Sequence, residues 1–291
     1  MIHRFVSHNG RLLPVEEARL SPGQGGLLSG WGLFTTMRIT ERIPFAFERH
    51  WQRLSRDSEI THCPIPVAQE TAREWLEQVL RANDVQEGCA RVYVIANQTG
   101  FWRSEENFAE ADVVICSANL PAHRDGVNLT LREQGRHAAS PLAGVKVTSW
   151  LNNAWSLYEA QQAGYDEVIL LNERGEVAEL TAANIFCVRD GRVFTPPLSS
   201  GCLPGVTRSV LLEIARPAGV SLEEKILFPE DLYAADEVLI TSTNRNVVSV
   251  ASIAGRKIRT VSGPFMHNLD AAFARYVREY IDAHAGVGGR R

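Results

Sequence analysis

The stretch Pro141-Leu142-Ala143-Gly144-Val145-Lys146-Val147-Thr148-Ser149-Trp150-Leu151 sets one lysine on an otherwise apolar run. Further along stands Glu179, within Glu176-Val177-Ala178-Glu179-Leu180-Thr181-Ala182-Ala183-Asn184-Ile185-Phe186. Beyond it lies Leu203-Pro204-Gly205-Val206-Thr207-Arg208, a glycine turn that opens a helix. Each feature has an ordinary reading when taken alone. A lysine between valines snorkels to solvent, a glutamate on a hairpin strand is a surface residue, and a threonine at a helix start is a helix N-terminal residue. In this order they offer a lysine able to form a Schiff base, a carboxylate for a pyridinium nitrogen and a helix N-terminus for a phosphate. Those are the three things pyridoxal phosphate requires. A lysine nucleophile also needs a depressed pKa, obtained by burial among apolar groups or beside another cation.

The rest of the chain sets wide bounds. At 291 residues it is long for one domain and comfortable for two. Apolar residues make up 45% and charged residues 22%, ordinary values for a globular protein. A net charge of −4 gives no basic field, so a nucleic-acid partner has no electrostatic support. The first residues, Met1-Ile2-His3-Arg4-Phe5-Val6-Ser7-His8-Asn9-Gly10, lack the apolar core of a signal peptide. No apolar run approaches the ~20 residues that cross a bilayer. The 5 cysteines have no CxxC spacing, and reduced thiols in a cytoplasm are the expected state.

Turn signals and periodicity divide the chain. Residues 2–13 read as a hairpin about Asn9-Gly10. A second hairpin runs from Gly32 to Ile39, turns at Glu41-Arg42, and continues from Ile43 to Phe47. Helices are predicted over Glu48 to about Ile60, with Trp51, Leu54 and Ser58 on one stripe, and over about Val67 to Asn83, with Trp75, Leu76, Val79 and Leu80. Strands 91–96 and 112–117 complete a first domain, residues 1–118, and the proline-bearing segment 119–126 is the linker. The larger second domain, 127–284, begins with strand 127–132 and the helix 152–163. A meander of strands follows at 167–172, 176–179, 185–189 and 192–195. Then come the helix 207–216, strands 237–241 and 247–253, and a last helix opened by Pro264. The tail 285–291 is expected to be disordered. The glycines at 23, 25, 26, 30 and 32 fit neither GxGxxG nor GxxxxGK[ST], so they read as a mobile or tightly turned loop.

From about Phe5 to about Arg278 the chain resembles the class IV, fold-type IV pyridoxal-phosphate enzymes. These include branched-chain aminotransferases, D-amino-acid aminotransferases and 4-amino-4-deoxychorismate lyases. The anchors are Gly32-Leu33-Phe34-Thr35-Thr36-Met37-Arg38, His50-Trp51-Gln52-Arg53-Leu54, Lys146, Glu179 with Asn184-Ile185-Phe186, Thr195-Pro196-Pro197, the Leu203–Arg208 turn, and Ala235-Asp236-Glu237 leading to Thr241-Ser242-Thr243-Asn244. The resemblance implies two α/β (α+β-like) domains, the larger with an antiparallel-rich sheet curled around the cofactor. It further implies a homodimer, with the site in the interdomain cleft and a loop from the partner subunit near it. Residues 22–31 are the candidates for that loop.

Carried over residue by residue, the resemblance makes Lys146 the Schiff-base lysine and the proton shuttle to the substrate Cα. Glu179 would keep the pyridine nitrogen protonated, and Arg53 would pair with the phosphate through its fork. Leu203, Val206 and Thr207 would line the phosphate turn at the helix start, and Thr243 would add a hydroxyl. Asn184 would support the meander. Trp150 stands where a tyrosine often bonds the cofactor's phenolic oxygen, and an indole donates one hydrogen bond and accepts none. On the substrate side the candidates are Phe34, Arg38, Arg91, Tyr93, Arg103 and Asn244. The branched-chain enzymes carry Tyr-x-Arg where this chain has Arg91-Val92-Tyr93. The D-amino-acid enzymes carry Arg-x-His where it has Arg103-Ser104-Glu105. The lyases carry Phe-Thr-Thr-x-Arg, which Phe34–Arg38 reproduces, and the Glu-x-x-Ala-Ala-Asn of Glu179 to Asn184 is lyase-like as well. Transamination between an amino acid and a 2-oxo acid is the leading expectation. Release of pyruvate and 4-aminobenzoate by a lyase is the second, and binding of the cofactor without turnover the third.

Overall fold

The computed structural model describes residues 1–21, 23–97, 110–122 and 126–285. Arg103, most of the tail 285–291 and part of the linker 119–126 lie outside the described residues. Among the described residues no helix is long and apolar enough to cross a membrane. The chain divides into two compact units. One holds Met1–Pro121, Val145–Trp150 and the end of the C-terminal helix from Tyr280 onward, and the other holds Ala122–Gly144 and Leu151–Glu279.

The first unit is built on β1 (Phe5–His8), β2 (Arg11–Pro14), β3 (Gly32–Thr40), β4 (Ile43–Pro44), β5 (Gly88–Ala96) and β6 (Ala111–Ala118), with helices α1 (Gly25–Ser29), α2 (Phe47–Thr61) and α3 (Gln69–Ala82). The six strands run in the order β2-β1-β6-β5-β3-β4. Asn9 (φ 51°) and Gly10 (φ 82°) form the tight turn between β1 and β2, as their residue types demand. Period-two alternation gives β3 two characters. Leu33, Met37 and Ile39 pack with Leu54 of α2 and Leu76, Val79 and Leu80 of α3 in one core, while Phe34, Thr36 and Arg38 fall on the other face.

Two expectations are corrected here. The strand after the Glu41-Arg42 turn stops at Pro44 and does not reach Phe47, which is already the first residue of α2. Proline has no N–H for the ladder, the Phe45 amide makes a last bond to the Arg38 carbonyl at 2.9 Å, and Ala46 turns the chain at φ 54°. The glycine cluster includes the one-turn helix α1 rather than only a tightly turned loop. Leu27 and Leu28 point from it to solvent, 52% and 59% exposed.

The second unit contains β7 (Val127–Arg132), β8 (Glu167–Leu171), β9 (Val177–Leu180), β10 (Asn184–Arg189), β11 (Arg192–Thr195), β12 (Leu222–Glu224), β13 (Glu237–Ser242), β14 (Asn246–Ile253) and β15 (Arg256–Lys257), with α4 (Leu151–Gln162), α5 (Val206–Ile214), α6 (Pro229–Tyr233) and α7 (Pro264–His284). Its sheet runs β12-β11-β10-β13-β14-β7-β8-β9, with β15 beside β14. The sheet curls, so that the Leu180 amide at the end of β9 donates to the Ala183 carbonyl just before β10 at 2.8 Å. Leu129, Ile169, Ile185, Ile240 and Val250 fill the interior. Proline at the head of α7 needs no donor, and the next two amides, of Phe265 and Met266, donate to the buried Glu237 carboxylate at 3.2 and 3.0 Å. The strands β12 and β15 and the helix α6 are additions to the sequence reading, each five residues or fewer.

Candidate active site

In the first unit the lysine segment completes the edge of β3. Phe34 N–H donates to the Lys146 carbonyl at 3.1 Å and Thr148 N–H to the Gly32 carbonyl at 2.8 Å, about a bridge between Leu33 and Val147. Gly32 is required by this approach, because a Cβ there would sit 2.8 Å from Thr148 Oγ1 and 2.7 Å from the Val94 carbonyl. Val145 and Val147 pack onto the core under α2 and α3. Lys146 lies between them in sequence, and its Nζ is 4.5 Å from the Phe34 ring centroid. Phe34 stacks on Tyr93, with centroids 5.8 Å apart. Arg91 donates from Nη1 to the Tyr93 hydroxyl at 3.0 Å and stands 5.6 Å above the Phe34 ring. The structure therefore brings Lys146, Phe34, Tyr93 and Arg91 together. Arg38 lies further along β3, opposite Cys89. Trp150 ends the segment, partly buried, its amide donating to the Thr148 carbonyl at 2.7 Å.

Behind β3, α2 supplies a second set. Arg53 Nη2 donates to Thr35 Oγ1 at 3.0 Å, and the same hydroxyl is 2.8 Å from His50 Nδ1. Arg53 and His50 are buried, and so is Thr35. Burial first, and then the charges of Arg53 and Lys146, hold the His50 imidazole well below its ordinary pKa. Asp57, one helical turn past Arg53, accepts the Lys146 N–H at 3.0 Å.

The second unit arranges a carboxylate and an open helix end. Glu179 on β9 accepts from Arg136 Nε at 2.9 Å and from the Leu203 N–H at 3.0 Å. A carboxylate has lone pairs for a further donor. Arg136 is itself held by Asn153 Oδ1 at 2.9 Å, and Asn153 donates to the Thr181 carbonyl at 2.8 Å. Burial first, and then the charge of Glu179, push the neighbouring Cys202 thiol up to about 12. Asn184 donates to the Leu203 carbonyl at 2.9 Å, and a Cβ on Gly205 would fall 2.1 Å from its Oδ1. The turn needs glycine for that reason. Gly205 is the N-cap of α5 and provides no side-chain cap, so Val206 and Thr207 begin the helix with amides open to an anion. Thr241 faces Asn184 across the β10–β13 ladder. Thr241 Oγ1 and Asn244 Oδ1 are buried without a hydrogen-bond partner among the described residues. Between them Thr243 sits, partly buried, in the turn that Arg245 closes back on Ser242 at 3.1 Å.

The class IV amino-transferase family model matches residues 32–253. The chain belongs to the class IV aminotransferases. It is 29% identical over 295 residues to the aminodeoxychorismate lyase of Bacillus subtilis, covering 97% of this chain and 98% of that protein. The solved branched-chain aminotransferase of Thermoproteus uzoniensis with norvaline superposes with a TM-score of 0.87 at 29% identity, over 96% of this chain and 98% of the other. A T.th. branched-chain aminotransferase complexed with N-(5'-phosphopyridoxyl)-L-glutamate superposes with a TM-score of 0.87 at 29% identity, over 96% and 97%. Class IV aminotransferases are pyridoxal-phosphate enzymes, and this chain is one of them.

The residues of this class IV aminotransferase fit the cofactor's chemistry. An uncapped helix start, with the unpartnered buried Thr241 hydroxyl as a further donor, suits a phosphate, and the twice-bonded Glu179 suits a pyridinium. A primary amine over an aromatic face suits a carbonyl carbon. Sequence reasoning gave no role to His50, Thr35, Asp57, Arg136 or Asn153. The Arg53/Asp57 spacing of four on one helix was a usable signal for Asp57. Nothing in the sequence distinguished Arg136, in the turn after β7, from the other basic residues.

Proposed function

We propose that this class IV aminotransferase moves an amino group between an amino acid and a 2-oxo acid, with pyridoxal phosphate held covalently on Lys146. The cofactor supplies an electron sink for the substrate carbanion and a carrier for the amino group. Lys146 Nζ would carry the proton from the substrate Cα to the cofactor's C4′ carbon in the first half-reaction and in the opposite direction in the second. Glu179, oriented by Arg136 and by the Leu203 amide, holds a proton at the pyridine nitrogen. Arg53 pairs with the phosphate, Val206 and Thr207 add donors at the start of α5, Leu203 fixes the turn, and Thr243 adds its hydroxyl. The Trp150 indole would offer the cofactor one donor and no acceptor. The observation that carries this reading is the amine of Lys146 against the Phe34 ring, in a cluster ending in Arg91. Exposed, and steadied by Tyr93, Arg91 is available to a substrate carboxylate. Arg38, Arg103 and Asn244 are the further substrate-side candidates.

A lyase reading, elimination of pyruvate to leave 4-aminobenzoate, is favoured by the Bacillus subtilis likeness and by the Phe34–Arg38 motif. One screen separates the two. The holoenzyme is given a panel of amino donors with 2-oxo acids, and separately aminodeoxychorismate. Amino transfer from at least one donor is expected. Pyruvate and 4-aminobenzoate appearing together, with every donor inert, would reverse the assignment.

A homodimer is supported by apolar side chains left in water. On α4, Leu151 is 81% exposed, Trp155 50% and Tyr158 58%, spaced along one helical face, with Arg132 stacked on Trp155 at 3.8 Å. Leu27 and Leu28 of α1 support the role of residues 22–31 as a loop offered to a partner subunit. Five buried free thiols accord with a cytoplasmic location.

A further inference from the structure

Asp57 is a buried carboxylate that the reaction proposed above does not use. Its side chain is 1% exposed, and it lies on α2, the helix that carries His50 and Arg53. Its two oxygens have different partners. Oδ1 accepts from Arg56, through Nε at 3.0 Å and through Nη2. Oδ2 accepts the backbone N–H of Lys146 at 3.0 Å. On the other side of the same residue, the Lys146 carbonyl accepts from Phe34 N–H at 3.1 Å.

We propose that Asp57 is a positioning residue for the reaction, clamping the peptide of Lys146 to α2 so that the lysine side chain works from a fixed Cα. The proposal rests on Lys146 being the cofactor lysine. Lysine has a long, flexible stem whose reach is set by its Cα and backbone direction. A ladder bond on the carbonyl side and a carboxylate on the amide side hold this peptide from two directions. Val145 and Val147 anchor its neighbours in the core. The chemistry of the acceptor matters as well. Burying a carboxylate is unfavourable unless it is paired and hydrogen-bonded, and here Arg56 supplies the pairing, with a side chain 39% exposed. In return the amide, at 3.0 Å, donates to a charged acceptor, a class of bond about twice as strong as neutral ones. The same helix then fixes two parts of the proposed chemistry, the lysine through Asp57 and the phosphate partner through Arg53.

The test compares Asp57→Ala with Asp57→Asn, both reconstituted with pyridoxal phosphate and normalised to bound cofactor. Both should keep the borohydride-sensitive long-wavelength absorbance, because Lys146 is intact. Asp57→Ala should lose roughly 10–100-fold in kcat, the scale on which small misplacements act, with the amino-donor KM within about twofold. Asp57→Asn, which retains an acceptor oxygen, should recover most of that loss. Parental kcat per bound cofactor in Asp57→Ala overturns the proposal, and so does an equal loss in both variants. A purely structural role would lower the melting temperature and leave kcat per bound cofactor unchanged. Should Asp57→Ala fail to fold, hydrogen exchange on the parental holoenzyme decides. The Lys146 amide must be protected to the same degree as the β3 amides, and exchange at the rate of an exposed loop refutes the clamp. Absence of the absorbance band from the parent would count against the cofactor assignment and leave that exchange result standing.

Discussion

The two units prepare their halves of the chemistry by different means. In the first, the candidate groups act through side chains on side chains: Thr35 between His50 and Arg53, and Tyr93 between Phe34 and Arg91. In the second, the backbone takes the larger share. Glu179 receives the Leu203 amide, Asn184 holds the Leu203 carbonyl, and the open start of α5 needs no side chain to attract an anion. A side-chain site changes one function at a time when substituted. A backbone site resists side-chain changes and is sensitive to whatever bends the chain.

Substitutions test that contrast. The largest effect belongs to Lys146→Ala, which should abolish turnover and the absorbance band that borohydride bleaches. A parent enzyme lacking that band after reconstitution would break the whole reading. Glu179→Gln keeps the shape and removes the charge, so turnover should fall by ~3–5 kcal/mol in transition-state terms while the cofactor stays bound. Near-parental kcat would show that another group supports the ring nitrogen. Arg91→Met should raise the amino-donor KM by the ~1.5–3 kcal/mol of a charged hydrogen bond and leave cofactor affinity alone. If kcat/KM is unmoved there and lost in Arg103→Met, carboxylate recognition belongs to the latter. Gly205→Ala tests the backbone side, since its Cβ would press on Asn184 Oδ1. Cofactor affinity should weaken about tenfold by equilibrium dialysis, with little change in kcat at saturation. Equal cofactor affinity would mean that the turn has slack.

The smallest effect is on stability in acid. Arg174 first, against opposing burial and with Asn172 and Ser200 assisting, holds the Glu176 carboxyl down at about 2, against an ordinary 4.5. A depressed carboxyl contributes fully above its unfolded pKa and loses that contribution as the pH falls through the folded value. Urea unfolding of Glu176→Gln should therefore show a deficit of ~1–2 kcal/mol near neutrality, allowing for the screening of the half-exposed Arg174. The deficit should close between pH 4.5 and about 2. A deficit that persists at the acid end would assign it to packing.

Much of the architecture was legible because local physics and tertiary structure agree. Asn9-Gly10 turns where the sequence says, and the stripe of α3 buries Leu76, Val79 and Leu80 as its period predicts. The misreadings arose where local signals were weak or opposed. Phe45-Ala46-Phe47 looks like strand until Pro44 ends the ladder, and α1 is a single turn whose two glycines offset the helix propensity of its leucines. The strands β12 and β15 are too short for alternation to register. Among the candidate site residues, Lys146 and Glu179 stood out because a charge on an apolar run is rare. Arg136 and Asp57 sit among other charged residues, and only contacts between distant segments single them out.

The bridge of Lys146's segment to β3 also bears on how the chain is made. Thr148 and Gly30 are bonded although 118 residues apart in sequence, so during synthesis the strand Gly32–Thr40 is exposed long before its edge partner emerges. Contacts of that span form slowly, and an uncovered strand edge is a template for pairing with other chains. A fragment ending at residue 121 leaves that edge uncovered and should aggregate where the full chain does not.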